Sequence, residues 1–213
     1  MHDVTEVRRL ETIRRDFVAN VSHELRTPVS IIRANAETLL SVESDRSSQE
    51  RRFIEALLRH ADRLGRLITD LLDISKIEVG KYPISPQRTK LAFLARSSIE
   101  AVEHKASKKR MTLLCDIPED LVAMVDAKAL EQVMVNLTEN AVKYATDDCS
   151  LIISAKMHED RVLLEFADDG PGIEPIHRPR IFERFYRVDP GRSREMGGTG
   201  LGLAIVKHLV EAM

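Results

Sequence analysis

The residues of this chain that could do chemistry fall in four short stretches. The first is FVANVSHELRTP, from Phe17 to Pro28, with His23 followed by Glu24 at its centre. Phe17, Val21 and Leu25 recur every four residues and share one helix face. His23, two residues from both Val21 and Leu25, falls about 200° round the helix from that stripe, toward solvent. An exposed neutral imidazole can act as a nucleophile at cellular pH, and Glu24 could accept the proton of its other ring nitrogen. On this stretch alone an ordinary surface histidine has an equal claim. The second stretch is NLTENAVKYA, where Asn136 and Asn140 share a helix face at i, i+4. A neutral carboxamide oxygen suits Mg²⁺, which takes few protein ligands. Lys143 and Tyr144 follow one turn on, suited to a phosphate and a flat ring.

The third stretch, Asp168-Asp169-Gly170-Pro171-Gly172, follows an expected strand. Its glycines permit close approach of a ligand, and a carboxylate can accept from an exocyclic amine. A tight acidic turn is the plainer reading of it in isolation. The fourth, Gly197-Gly198-Thr199-Gly200-Leu201-Gly202, runs straight into a helix, where backbone N–H groups and the helix dipole can cradle phosphate. No Lys-Ser/Thr follows, so it is not a Walker A loop. It lies late in a mixed region rather than after an opening strand, so it is not a dinucleotide fingerprint either.

The elements that must position these groups are of two textures. Residues 1–42 read as one long helix on the seam Val7, Leu10, Ile13, Phe17, Val21, Leu25, Ile32, Ala36 and Leu39, bent after the histidine by Pro28. A polar loop at 43–48 leads to a second helix over 48–78, whose stripe includes Phe53, Leu57, Leu64, Ile68, Leu71 and Ile74. One such hairpin has too few faces to cover both stripes, so a homodimeric four-helix bundle is expected. GKYPISP (80–86) breaks the period and reads as a linker. The division expected is therefore an all-α hairpin over 1–79, the linker, and an α+β domain over 87–213. In the latter we expect a helix over 91–109, strands over 111–117 and 121–125, a helix over 127–144, a hairpin of strands over 151–157 and 161–167, a long loop to about 200 and a helix from 201. Helices mixed with antiparallel strands indicate a layered α+β fold.

Composition removes several function classes. At 213 residues the chain can bury a sizeable core. A net charge of −2, no Trp and few aromatics argue against a nucleic-acid partner. No apolar run approaches the roughly 20 residues that span a bilayer, and no secretory signal opens the chain. Cys115 and Cys149 read as reduced thiols in a cytosolic protein. The other histidines (His2, His60, His104, His158, His177 and His208) show no metal-ligand spacing.

Taken in order, these motifs resemble the sensor histidine kinases of two-component signalling. VSHELRTP is similar to the family's H box, NLTENAVKY to its N box, DDGPGI to the first glycine box, FERFYR (182–187) to the F box and GGTGLGLAI to the second glycine box. The resemblance implies a dimerisation and phosphotransfer hairpin followed by an α+β sandwich of the Bergerat (GHKL) ATP-binding fold. It implies that His23 takes the γ-phosphoryl group of ATP, with Glu24 as acid/base partner and Thr27 placed for dephosphorylating the partner regulator. Asn140 would bind Mg²⁺, supported by Asn136. Lys143 and Arg187 would meet phosphates, Tyr144 would cover the adenine, and Asp168 would accept from its amino group. Gly170, Gly172, Gly198, Thr199, Gly200, Leu201 and Gly202 would shape the pocket and its lid.

The partners implied are a second copy and the receiver domain of a response regulator. The implied setting is a cytoplasmic piece of a protein anchored in the bacterial inner membrane. Asp3-Val4-Thr5 resembles the tripeptide that ends many PAS sensor domains, and the family's fold continues past the second glycine box. One departure bears on the reaction: GHKL ATPases resembling gyrase or Hsp90 carry a glutamate where this chain has Asn136. That favours transfer to histidine over hydrolysis. A GHKL ATPase and a non-catalytic ATP-binding dimer stay open as alternatives.

Overall fold

The computed structural model describes residues 25, 27–39, 47–78, 82–159, 161–189, 191 and 198–213. His23, Glu24, Gly197 and the Asp3-Val4-Thr5 tripeptide lie outside the described residues. Contacts divide the chain into two units. One holds the helical residues up to Leu72 together with 198–201; the other is Asp73–Asp189 with Gly202–Met213.

Helix α1 spans 27–39 and lies in the helical unit, and α2 spans Ser47–Glu78, its residues up to Leu72 in that unit and those from Asp73 in the other. Solvent-side i, i+4 ion pairs, Arg33–Glu37 and Arg51–Glu55, decorate them and contribute only tenths of a kcal/mol each. Two apolar stripes run along α2. Leu67 and Ile74 are buried, with Leu57, Leu64 and Leu71 half-buried beside them. Ile54, Leu58, Ile68 and Leu72 lie on another face and are 49%, 58%, 46% and 55% exposed.

The α/β unit opens with β1 (Gln87–Lys90), then α3 (Leu91–Glu100), α4 (Glu103–Lys108), β2 (Thr112–Asp116), β3 (Val122–Val125), α5 (Ala127–Tyr144), β4 (Ser150–His158), β5 (Arg161–Asp168), a 3₁₀ turn at Arg178–Arg180 and α6 (Gly202–Ala212). The expected bounds of α5 are met. Three features differ from expectation. The strand β1 was not expected, because QRTK shows no apolar alternation; it pairs antiparallel with β3, and of its residues only Thr89 is buried. The helix expected over 91–109 is two helices, parted at Ala101 and Val102, of which Val102 is buried. Finally, β2 pairs with β4 in parallel, not antiparallel. The chain returns from β2 to β4 through α5, and a helical crossover brings a strand back in the same direction.

In the three-stranded sheet β2-β4-β5, β4 alternates cleanly: Leu151, Ile153 and Ala155 are buried, while Ile152 and Lys156 face out. That inner face meets Leu91, Leu94 and Ala95 of α3 and Leu130 and Met134 of α5 in one core. A smaller cluster of Val102, Ala106, Met111, Val142, Ala145 and Cys149 lies under the C-terminal end of α5. Helix α6 lies against α5 and buries Ala204, Ile205, Val206 and Leu209.

Candidate functional site

Helix α5 is the wall of the site, and its sequence explains why it stands there. Asp126 caps its N-terminus: Oδ1 accepts from Ala129 N–H at 2.9 Å and Oδ2 from Ser85 N–H at 2.8 Å. Those two N–H groups, Ala129 first, hold the Asp126 carboxyl below the ordinary carboxylate range. One face of α5 is apolar and buried (Leu130, Val133, Met134, Val142), and Thr138 on it donates to Met134 O at 2.7 Å, its hydroxyl oxygen lying 3.2 Å from Ser98 Oγ. Asn136, Asn140 and Lys143 lie within about 60° of one another, on a flank that borders the buried face at Val133.

The two asparagines have different jobs. Asn136 Nδ2 donates to Gln132 O at 2.9 Å. Its Oδ1 lies 2.8 Å from where a Cβ on Gly202 would stand. Any larger residue at the start of α6 would collide with that amide, so glycine permits the close approach of α6 to α5. Asn140 makes no side-chain hydrogen bond among the described residues, and the residue is half-buried. Beyond it, the Lys143 ammonium sits 5.1 Å from the Tyr144 ring centroid, and Tyr144 is 39% exposed.

The acidic turn meets the C-terminal end of this helix. Asp168 Oδ1 accepts from Gly170 N–H at 3.0 Å. A Cβ on Gly170 would stand 2.7 Å from that oxygen and 3.7 Å from Ala145 Cα. Gly172 has φ +70°, which favours glycine. The turn is pinned by Asp169, a residue sequence reasoning left without a role. Its Oδ1 accepts from Ser150 N–H at 2.6 Å and its Oδ2 from the Ser150 hydroxyl at 2.7 Å. These bonds hold the Asp169 carboxyl below its ordinary range, the backbone donor contributing most. The doublet was the available signal: successive residues at a strand end point opposite ways, so one of the two had to face away from the site.

The segment before Arg187 is ordered by its own contacts. His177 Nδ1 and Tyr186 Oη lie 2.7 Å apart, Arg180 stacks 4.3 Å from the Tyr186 ring, and Phe185 adopts φ +61°. Arg187 is half-buried at its end.

Asn136, Asn140, Lys143, Tyr144, Asp168, Gly170, Gly172, Arg187 and Gly202 thus fall in the α/β unit, whereas Thr27, Gly198, Thr199, Gly200 and Leu201 group with the helical unit. Gly200 has φ +75°, and Thr199 Oγ1 accepts from Leu201 N–H at 3.2 Å, a local turn just before α6. Among the described residues no group of three or more His, Cys, Asp or Glu could hold a metal ion. No helix there is long and apolar enough to cross a membrane.

Two known families match this chain, one over each part of the sequence. Residues 125–213 match "Histidine kinase-, DNA gyrase B-, and HSP90-like ATPase", and residues 13–80 match "His Kinase A (phospho-acceptor) domain". The chain belongs to the sensor histidine kinases of two-component systems. It is 40% identical over 211 residues to the phosphate regulon sensor protein PhoR of Pseudomonas aeruginosa, covering 99% of this chain and 47% of that protein. It is 36% identical over 209 residues to the sensor-like histidine kinase SenX3 of Mycobacterium tuberculosis, covering 98% and 51%. The chain thus spans about half the length of these curated relatives. Among solved structures, full-length ShkA in complex with AMPPNP is similar at TM-score 0.67 and 29% identity, over 93% of this chain and 41% of that one.

Proposed function

We propose that the chain is the catalytic core of a protein-histidine kinase. It binds Mg-ATP along the Asn140 flank of α5, transfers the γ-phosphoryl group to His23, and passes it to an aspartate of a response-regulator receiver domain. The observation that carries the reading is the juxtaposition at the end of α5. There the Lys143 ammonium stands 5.1 Å from the exposed Tyr144 ring, one helical turn after Asn140, and the Asp168–Gly170 turn abuts Ala145. In this reading Lys143 and Arg187 hold phosphate oxygens, Tyr144 covers the base and Asp168 accepts from its amino group. The glycine-rich 198–202 stretch belongs to the same nucleotide-binding proposal. The AMPPNP complex of ShkA, a 29% identical relative in structure, is consistent with a nucleotide there.

The donor set fits magnesium: Asn140 offers a neutral oxygen with no side-chain hydrogen bond among the described residues, and magnesium takes few protein ligands. A bound Mg²⁺ would neutralise charge on the phosphates. Phosphoryl transfer asks chiefly for positioning and charge neutralisation, with the P–O bond to ADP breaking as a bond to the imidazole nitrogen forms. Glu24 takes the imidazole proton, and Thr27 serves a dephosphorylating activity toward the regulator.

Two observations favour transfer over hydrolysis. Asn136, at the position of the hydrolytic glutamate, is committed to Gln132 O and to the Gly202 approach. Glu139 pairs with Lys105 of α4 at 3.3 Å, off the Asn140 flank. The exposed stripe Ile54, Leu58, Ile68 and Leu72 supports a homodimer whose second copy covers it. Membrane anchoring of the full protein, outside this chain, belongs to the same proposal. With γ-labelled ATP, phosphate should be recovered on the protein, stable to alkali and labile to acid, and absent from His23→Gln. Sustained release of free phosphate with no phosphoprotein would sink the kinase reading.

A further inference from the structure

The C-terminal end of α5 carries Lys143 and Tyr144, yet it lacks the usual cap. Ala145, the residue after the helix, has φ −58° and ψ 152°, and no glycine in the left-handed region follows to satisfy the last carbonyls. Lys109, from the corner between α4 and β2, takes that place. Its Nζ donates to Val142 O at 2.8 Å, Lys143 O at 3.0 Å and Ala145 O at 2.9 Å. An ammonium has three N–H donors, and all three are used. Its charge also sits at the negative end of the helix dipole.

The backbone behind this side chain is itself fastened. Lys109 O accepts from Asp148 N–H at 2.9 Å. The neighbouring Arg110 guanidinium makes two bonds of 2.7 Å to the Asp148 carboxylate. The ammonium is thus aimed from a fixed base. The carbonyls it holds belong to Lys143 itself and to the residues on either side of the Lys143-Tyr144 pair. Ala145 is also the residue that abuts the Gly170 turn.

We propose that Lys109 is a positioning residue for nucleotide binding. By tying down three main-chain carbonyls it sets where the Lys143 ammonium and the Tyr144 ring stand relative to Asp168. The proposal rests on the reading of α5 as the nucleotide wall. It assigns Lys109 no contact with the nucleotide.

The test compares Lys109→Met, which keeps the stem but removes the donors, with Arg110→Ala, which loosens the same corner without touching α5. Each is titrated with Mg-ATP and melted thermally. Lys109→Met should bind ATP at least about tenfold more weakly, whereas Arg110→Ala, however far its melting point falls, should stay within about twofold of the unaltered chain. Lys109→Arg should recover only part of the affinity, because a planar fork cannot serve three convergent carbonyls. Lys109→Met binding within about twofold of the unaltered chain, or affinity tracking melting point alike in both corners, overturns the proposal. If Lys109→Met does not fold, Lys109→Gln is judged by the same thresholds, and failure of both while Arg110→Ala folds also counts against it. If the unaltered chain itself binds no ATP, it is the nucleotide reading that fails, and the proposal with it.

Discussion

Single atoms decide more of this site than residue types do. The opening residue of α6 is the clearest case. A methyl on Gly202 would stand 2.8 Å from Asn136 Oδ1, which is itself held by the bond of Asn136 Nδ2 to Gln132 O. Gly202→Ala should therefore destabilise the chain by about 1–3 kcal/mol, the usual cost of overpacking, in urea unfolding. It should weaken ATP binding as well, while Gly65→Ala, at a helical glycine with nothing within 4 Å, should do neither. Equal stability of the two variants would show that the α5–α6 approach is not close. The motif around Asn136 was legible from its spacing. That this asparagine serves packing while Asn140 keeps its amide available was not, because the difference lies in which neighbour α6 brings. Asp168 and Asp169 divide in the same way: one accepts from Gly170 N–H in the turn beside Ala145, the other is consumed by Ser150.

At the scale of elements, α5 was the most readable and β1 the least. A helix with a capping aspartate, a regular apolar stripe and a closing Lys-Tyr announces itself locally. The strand QRTK does not, since its existence depends on β3 lying beside it to supply hydrogen bonds. The cap on α5 carries a pH signature. The folded Asp126 carboxyl titrates below its ordinary value because Ala129 and Ser85 donate to the charged form. Its stabilisation is complete above the unfolded value of about 3.9 and is lost as pH falls through the lower folded one. Asp126→Ala should thus cost about 1–2 kcal/mol at neutral pH, the upper part of the range for an N-cap. The gap to the unaltered chain should narrow below about pH 4, as followed by denaturant unfolding across pH. A gap that does not change with pH would remove the capping account.

For the molecule as a whole, the exposed stripe on α2 makes a prediction about assembly. Ile54, Leu58, Ile68 and Leu72 recur on one face and together expose more apolar surface than a helix needs to show. Replacing Leu58 and Leu72 by Glu should convert a dimer to monomer in sedimentation, since each buried leucine is worth about 1.5–3 kcal/mol. The variants should still bind ATP, because the α/β unit holds its own core. An unaltered chain that sediments as a monomer would contradict the expected bundle.

The order and spacing of the H, N, glycine and F motifs identified the family, because each needs particular residue types at short range and short-range geometry follows from local sequence. Helix periods and the bounds of α5 were readable for the same reason. What only the tertiary structure decided are contacts between distant stretches: β2 beside β4, Ser150 beneath Asp169, Gly202 against Asn136 and Lys109 on the end of α5. These depend on how the layers close around one core, and no local pattern records which polar side chain will reach across.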